Sequence, residues 1–312
     1  MRVAFQIDPL HHLHQHKDSS LALATSAHRR KYDIFCYQPQ SLTLQEKVTA
    51  WLSPLVPVDG TWQQEEGQQT ELDRMDVVLM RQDPPFDMAY ITATYLLDYL
   101  QKTSHTRVIN DPTSVRSYPE KYIPFLFPQH APPSIISQHS PDLKAFRKKH
   151  GSVIIKIPFG KAGEGIFLIH PDDPNYDSLI ETLLSRYGTP LIAQRYLDSV
   201  RTHGDKRLLL INGTCIGAFT RMPAQHDMRA NLRCGGTAQA CDITPQEKRL
   251  CQDLKPFLQE KRIFFAGIDV IAHALTEVNI TSPTGLREYQ AISGDDPCDI
   301  FWDHLAHTMK RA

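Results

Sequence analysis

Residues 2 to 7 form an apolar run, Val3-Ala4-Phe5 and Ile7, bounded by Asp8-Pro9, a pattern that predicts a buried strand. Asp18-Ser19-Ser20 offer N-cap oxygens to a helix from about Leu21 to Lys31, and Tyr32 to Tyr37 reads as a second strand. Together these make a β-α-β unit whose parallel strands put ligand-binding loops at their carboxyl ends, here at Asp8-Pro9. Met75 to Arg81 repeats the strand pattern and ends in Asp83-Pro84-Pro85-Phe86-Asp87. Residues 41 to 70 show no clear period and read as loop with some helix. A helix near Ala89 to Gln101 and a strand at Arg107 to Asn110 complete a first lobe ending near residue 118.

From Val153 the pattern changes to short strands joined by glycine turns: Val153 to Ile157, Ile166 to Ile169, Pro190 to Tyr196, Lys206 to Asn212 and Cys215 to Arg221. A helix around Gln246 to Lys261, a strand pair within Phe264 to Asn279 and a helix around Ile300 to Lys310 finish the chain. No repeat or low-complexity tract interrupts it.

A chain of 312 residues has room for two or three lobes. With 34 basic against 35 acidic residues, it carries no global field to attract nucleic acid or an anionic membrane. Met1 to Ile7 is neither a signal peptide nor an anchor, and the six cysteines include no C-x-x-C pair, so a reduced, cytoplasmic protein is the expectation. His11, His12, His14 and His16 crowd one short loop, which reads as a solvated polar loop because no carboxylate or cysteine stands at a ligand spacing from them.

Three places carry chemistry. Lys156 ends the apolar run Val153-Ile154-Ile155, where an amine is costly to bury unless it meets an anion. Gly160, Gly163 and Gly165 follow it and lead into another strand, as in a strand, glycine loop, strand hairpin that covers a nucleotide, although the glycine count taken alone favours an ordinary hairpin turn. In the second place, Glu277 and Asn279 stand two apart on one strand face. A three-residue turn at Ala272 to Ala274 would set Asp269 opposite Glu277, giving an oxygen donor set suited to Mg²⁺. The third is a run of cations, Arg207, Arg221, Arg229 and Arg233, around the loop from Met222 to Gly236, which reads either as a closing lid or as a solvated basic loop.

These places, with Lys17-Asp18-Ser19-Ser20, Met80-Arg81-Gln82-Asp83-Pro84-Pro85-Phe86-Asp87, Asn110-Asp111-Pro112, Glu120-Lys121, Gly204-Asp205-Lys206-Arg207, Arg221-Met222-Pro223 and Glu277 to Thr284, resemble the prokaryotic-type glutathione synthetases of the ATP-grasp superfamily over nearly the whole chain. The resemblance implies an α/β ATP-grasp fold preceded by a Rossmann-like N-terminal β-α-β domain. The expected N-terminal domain is 1–118 and the ATP-grasp domain 119–312, divided into a nucleotide-covering part (119–200) and a catalytic, metal-binding part (201–312).

It also implies ATP and Mg²⁺ as cofactors. Lys121, Lys156, Gly160, Gly163, Gln194, Tyr196 and Leu197 become nucleotide contacts, and Asp269, Glu277 and Asn279 become magnesium ligands. Arg221 and Arg207 become the catalytic cations, and Arg81, Arg229, Asn231, Ser282 and Arg287 become substrate contacts. The implied reaction joins γ-glutamylcysteine to glycine through an acyl phosphate, with no nucleic-acid or membrane partner; symmetric oligomers are common in the family. The alternatives are an ATP-grasp ligase with another acceptor and a catalytically degenerate nucleotide-binding regulator. Ile157, Phe159 and Ala162 depart from the family's glycine loop, where proline, an acidic residue and glycine are usual, and Cys234 stands where alanine is more frequent.

Overall fold

The computed structural model describes residues 1–160, 163–224, 230 and 235–310. Its first lobe contains strands β1 (Arg2–Gln6), β2 (Asp33–Tyr37), β3 (Thr43–Leu44), β4 (Val48–Val58), β5 (Thr61–Gln64), β6 (Gln68–Glu71), β7 (Val77–Met80) and β8 (Arg107–Ile109). The helices of this lobe are α1 (Ser19–Arg29), α2 (Met88–Thr103) and α3 (Pro112–Ser117). The sheet runs β3-β4-β2-β1-β7-β8, with β2, β1, β7 and β8 parallel and β4 antiparallel to β2. Asp18 caps α1, its Oδ1 accepting from the Ser20 and Leu21 amides at 2.7 and 3.0 Å.

Residues 41–70 correct the sequence reading: they form β3, β4, β5 and most of β6, not loop and helix. Val48, Ala50 and Leu52 are buried in alternation, but burial then shifts to Ser53 and Leu55. The phase changes where β4 passes from β6 to β2 and β5, and Pro54 and Pro57 lie in the strand, so neither a clean period nor a strand-like composition shows.

The second lobe is an antiparallel sheet of β9 (Ser134–Ser137), β10 (Val153–Lys156), β11 (Ile166–Ile169) and β12 (Leu191–Arg195), in the order β11-β10-β12-β9, with α4 (Ser140–His150) and α5 (Tyr176–Tyr187). Val153 and Ile155 pack into a core with Leu143 and Ile180 of those helices, so alternation turns Ile154 and Lys156 to the opposite face.

The third lobe contains α6 (Val200–His203), β13 (Asp205–Ile211), β14 (Thr214–Met222), β15 (Thr237–Ala240), α7 (Pro245–Glu260), β16 (Phe265–Ile271), β17 (Ala274–Asn279), α8 (Leu286–Ser293) and α9 (Pro297–Met309). Its antiparallel sheet runs β15-β14-β13-β16-β17. Leu208 and Leu210 pack on Leu250, Leu254 and Leu258 of α7, whereas Leu209 and Ile211 join a core shared with the first lobe through Phe265, Phe301 and Trp302. Asn110 ties β8 to this sheet: its Nδ2 donates to the carbonyls of Phe265 and Ile280, both at 2.7 Å, and its Oδ1 accepts from the Phe265 amide at 2.8 Å. No described helix is long and apolar enough to cross a membrane. The five described cysteines are free.

Candidate active site

The second and third sheets and the loops of the first lobe face one cavity of about 1080 Å³. Small-molecule sites usually fall near 300–1,000 Å³, so this one has room for more than one ligand.

The β16–β17 hairpin sets out the oxygen donors. Asp269 stands opposite Glu277, and Gly267 opposite Asn279. The predicted pairing is present, but its expected cause is corrected. Ile271 pairs with Ala274, so the turn has two residues, Ala272 and His273, both left-handed with φ of 47° and 66°. A bulge between the Val270–Leu275 and Asp269–Glu277 pairs then inserts Thr276 and restores the expected partners. The Thr276 hydroxyl donates to the Asp269 carbonyl at 3.1 Å.

Asp269 is buried and heavily paired. Arg207 grips it with two bonds, Nε to Oδ1 at 2.5 Å and a terminal nitrogen to Oδ2 at 3.0 Å. Arg221 reaches Oδ2 at 3.0 Å and Asn279 Nδ2 donates to it at 3.2 Å. Burial pushes the carboxyl upward, but Arg207 and Arg221 outweigh it and hold the group at about 2. Arg221 also meets Asp205 Oδ2 at 2.5 Å. Burial, with repulsion from Asp269, drives Asp205 up to about 7 against the pull of Arg221. Gly204, at φ +71°, makes this approach possible: a Cβ there would lie 2.5 Å from the Arg221 carbonyl oxygen.

Lys121 joins two parts of the site. Its Nζ donates to the Gly160 carbonyl at 2.6 Å and lies 3.3 Å from Glu277 Oε1. Behind Glu277, Glu120 Oε1 accepts from the Ile280 and Thr281 amides at 2.8 and 2.9 Å. Burial first, and Glu277 second, push Glu120 upward. Acidic groups therefore converge on the Glu277 side, and two carboxylates with a carboxamide on one hairpin face are oxygen donors that fit a hard divalent cation. Among the described residues no group of three or more His, Cys, Asp or Glu forms a metal cage.

Lys156 Nζ is buried and donates to Gln194 Oε1 at 2.8 Å, while Gln194 Nε2 donates to Ser134 Oγ at 3.1 Å. Burial lowers the lysine, opposed by Glu277. Gln194 thus orients Lys156 as well as lining the cavity, and Ile154, Ile166, Leu197 and Val200 supply an apolar slot beside it. Tyr196 lines the slot and accepts from Arg201 Nε through its hydroxyl at 3.0 Å. Gly160 and Gly163 line the cavity, and the exposed Phe159 stacks on Phe86 of the first lobe with ring centroids 5.8 Å apart.

Ser282 and Arg287 lie on the cavity wall, as do His12, His14 and His16, whereas Arg81 does not. Arg81 is buried behind the wall, with Nε donating to Ser20 Oγ and its carbonyl accepting from Ser282 Oγ, both at 3.1 Å. All four loop histidines are exposed. Arg229, Asn231, Arg233 and Cys234 lie outside the described residues, as do Lys161 and Ala162.

The cleft therefore offers buried cations for anionic oxygens, an oxygen donor set for a cation, and an apolar slot. Sequence reasoning assigned no role to Asp205 or Glu120. Asp205 had a signal, since it stands two residues before Arg207 on the same strand face; Glu120 had none, because its partners are 160 and 161 residues away.

A protein-family model described as the prokaryotic glutathione synthetase N-terminal domain matches residues 1–116, and one described as the prokaryotic glutathione synthetase ATP-grasp domain matches residues 120–294. A glutathione synthetase of Mesorhizobium japonicum is 41% identical over 99% of both chains. Another from Synechocystis is 37% identical over 94% of this chain and 95% of its own. Among solved structures, the D-cycloserine synthetase DcsG superposes with a TM-score of 0.68 at 14% identity, covering 99% of this chain and all of its own. A Chryseobacterium gregarium ATP-grasp ligase in complex with ADP and a leader and core peptide superposes with a TM-score of 0.65 at 13% identity, over 99% and 97% of the chains. At such identities these two structures speak to the ATP-grasp fold alone.

Proposed function

Because the chain belongs to the prokaryotic glutathione synthetase family, we infer that the groups assembled in its cleft join γ-glutamylcysteine to glycine. The protein is an ADP-forming carboxylate–amine ligase. We assign the lobes to residues 1–118, 119–200 and 201–312.

A carboxylate is a poor electrophile because its leaving group would be oxide. In the proposed reaction the carboxylate of γ-glutamylcysteine attacks the γ-phosphorus of ATP, ADP departs, and the resulting acyl phosphate has phosphate as its leaving group. Lys121 and Lys156 are assigned to the nucleotide phosphates, and the slot beside Gln194, Tyr196 and Leu197 to the base. Mg²⁺ on Asp269, Glu277 and Asn279 would supply charge neutralisation for the phosphoryl oxygens. Arg221 and Arg207 face the same region and stabilise negative charge, first on the transferring phosphoryl group and then on the tetrahedral oxyanion formed by glycine attack. The attacking nitrogen gives up a proton to solvent, and collapse of that oxyanion expels phosphate and leaves the amide. Ser282 and Arg287 are assigned to the peptide, and Arg81 acts behind them by holding Ser282.

The observation that carries this reading is the convergence of Lys121, Lys156, Arg207 and Arg221 with Asp269, Glu277 and Asn279 around one cavity. The test is ADP release with ATP, Mg²⁺ and γ-glutamylcysteine, run against a panel of amino acids. Release that requires γ-glutamylcysteine and is fastest with glycine supports it. Release with another acceptor and not glycine, or none with any, contradicts it.

A further inference from the structure

Asp269 carries as many donors as its carboxylate has lone-pair sites. Its Oδ2 alone meets Arg207, Arg221 and Asn279 at 3.0, 3.0 and 3.2 Å, while Oδ1 takes Arg207 Nε at 2.5 Å. The two oxygens of a carboxylate offer about four lone-pair sites and four donors already share them, so a cation drawn to Asp269 competes with those donors, most directly with the cationic Arg207 and Arg221.

The geometry distinguishes the donors. Arg207 is bidentate on Asp269 and also donates to the Thr284 carbonyl at 3.2 Å, so moving it breaks three bonds. Arg221 touches Asp269 once, and the same nitrogen already has a second carboxylate, Asp205 Oδ2 at 2.5 Å. Asp205 faces Arg221 directly across the β13–β14 pair, and its Oδ1 is buried with no hydrogen-bond partner among the described residues. Arg221 Nε is likewise buried and without one. The pair thus has both an unused acceptor and an unused donor with which to complete a bidentate contact. A buried guanidinium stripped of every carboxylate is strongly disfavoured, whereas one that exchanges a shared contact for a fuller one is not.

We propose that Asp205 is a positioning residue that takes Arg221 over from Asp269 when the cation site fills. Asp205 thereby frees Asp269 as a ligand and holds Arg221 at the reaction centre, where the phosphoryl group meets it. This rests on the metal site assigned under the proposed function, and goes beyond it by giving Asp205 a task and Arg221 two states.

The test reads metal affinity without turnover. Mn²⁺ is titrated, by calorimetry or by electron paramagnetic resonance, into the full-length protein holding the β,γ-imido analogue of ATP. Four forms are compared: wild type, Asp205→Asn, Arg221→Met and the double variant. With Asn at 205, Arg221 keeps Asp269 as its only carboxylate, so Mn²⁺ must compete and its affinity should fall about 10-fold, a coupling well within the range that neighbouring groups show. In the Arg221→Met background the competitor that Asp205 draws away is absent, and Asp205→Asn should change affinity by less than about 2-fold. Equal losses in both backgrounds would mean that Asp205 acts on the cation only through its charge, and no loss in either would mean that it does not act at all; each overturns the proposal. Asp205→Glu should restore affinity to within about 3-fold of wild type, and one that behaves like Asn also overturns it. Melts accompany the series, and Asp205→Ser replaces the Asn variant if that one is unfolded. In steady state the takeover predicts a lower kcat with KM for ATP little changed. A raised KM with unchanged kcat would make Asp205 a nucleotide contact instead. A wild type that binds no Mn²⁺ would contradict the metal site itself and this inference with it, whereas normal Mn²⁺ binding without ligation would contradict only the assigned reaction.

Discussion

Lys121 Nζ lies 3.3 Å from Glu277 Oε1 while donating to the Gly160 carbonyl at 2.6 Å, so one buried amine ties the glycine loop to the candidate metal ligands. Lys121→Met breaks both contacts and removes a cation assigned to the nucleotide phosphates. Bonds to charged groups contribute about 1.5–3 kcal/mol, so ATP affinity should fall by roughly 10- to 100-fold. Equilibrium binding of ATP to the variant checks this, and an unchanged affinity refutes the role.

Lys156 differs in that, among the described residues, its direct partner is the neutral Gln194 Oε1, with no carboxylate in contact. Burial lowers its pKa, as expected of an amine waiting for an anion. Lys156→Met should therefore leave the melting temperature equal or higher and weaken ATP binding by about 10-fold or more. A variant that loses stability but keeps ATP affinity would make Lys156 a structural residue.

Glu247 gives the pH prediction. Its Oε2 accepts from the Thr244 amide and from Lys206 Nζ, both at 2.8 Å, closing the capping box of α7. Burial pushes the carboxyl up, but Lys206 and Thr244 outweigh this and hold it below its ordinary 4.5. A depressed acid contributes stability above its unfolded value and loses it as pH falls through the folded one. Glu247→Gln should thus be less stable than wild type by about 1–3 kcal/mol at pH 7, with the gap closing below pH 4.5. Chemical denaturation at a series of pH values measures it, and a gap that widens in acid contradicts the assignment.

Glu277→Gln tests the cation site. It keeps the side chain's shape and removes a charge that Glu120 and Asp269 both face. The metal-free melt should hold, catalysis should fall on the order of 100-fold, and the Mg²⁺ requirement should move to higher concentration. Normal turnover at the wild-type Mg²⁺ concentration would leave the acids as an ordinary acidic sheet face.

Most of the elements were legible because β10, β13 and β16 are buried on both faces and read as short continuous apolar runs bounded by turn residues, while β17 alternates. The hairpin shows how far such reasoning reaches. Alternation put Glu277 and Asn279 on one face, but Asp269 came opposite Glu277 through a shorter turn and a bulge at Thr276, which no count of residues distinguishes from a longer turn. Strand β4 was illegible because its buried face changes at Leu52–Ser53 as its partners change. The Arg207–Asp269 grip was equally hidden, since it requires β13 to lie beside β16, a matter of strand order that local pattern does not carry.

In the proposed reaction a substrate carboxylate is phosphorylated in this cleft. This step is tested by supplying γ-glutamylcysteine labelled with ¹⁸O in its cysteinyl carboxylate, together with ATP, Mg²⁺ and glycine, and recovering the released phosphate for mass spectrometry. The acyl-phosphate route transfers one carboxylate oxygen, so each phosphate formed with product should carry one ¹⁸O. Phosphate free of the label, released while glutathione accumulates, would contradict it.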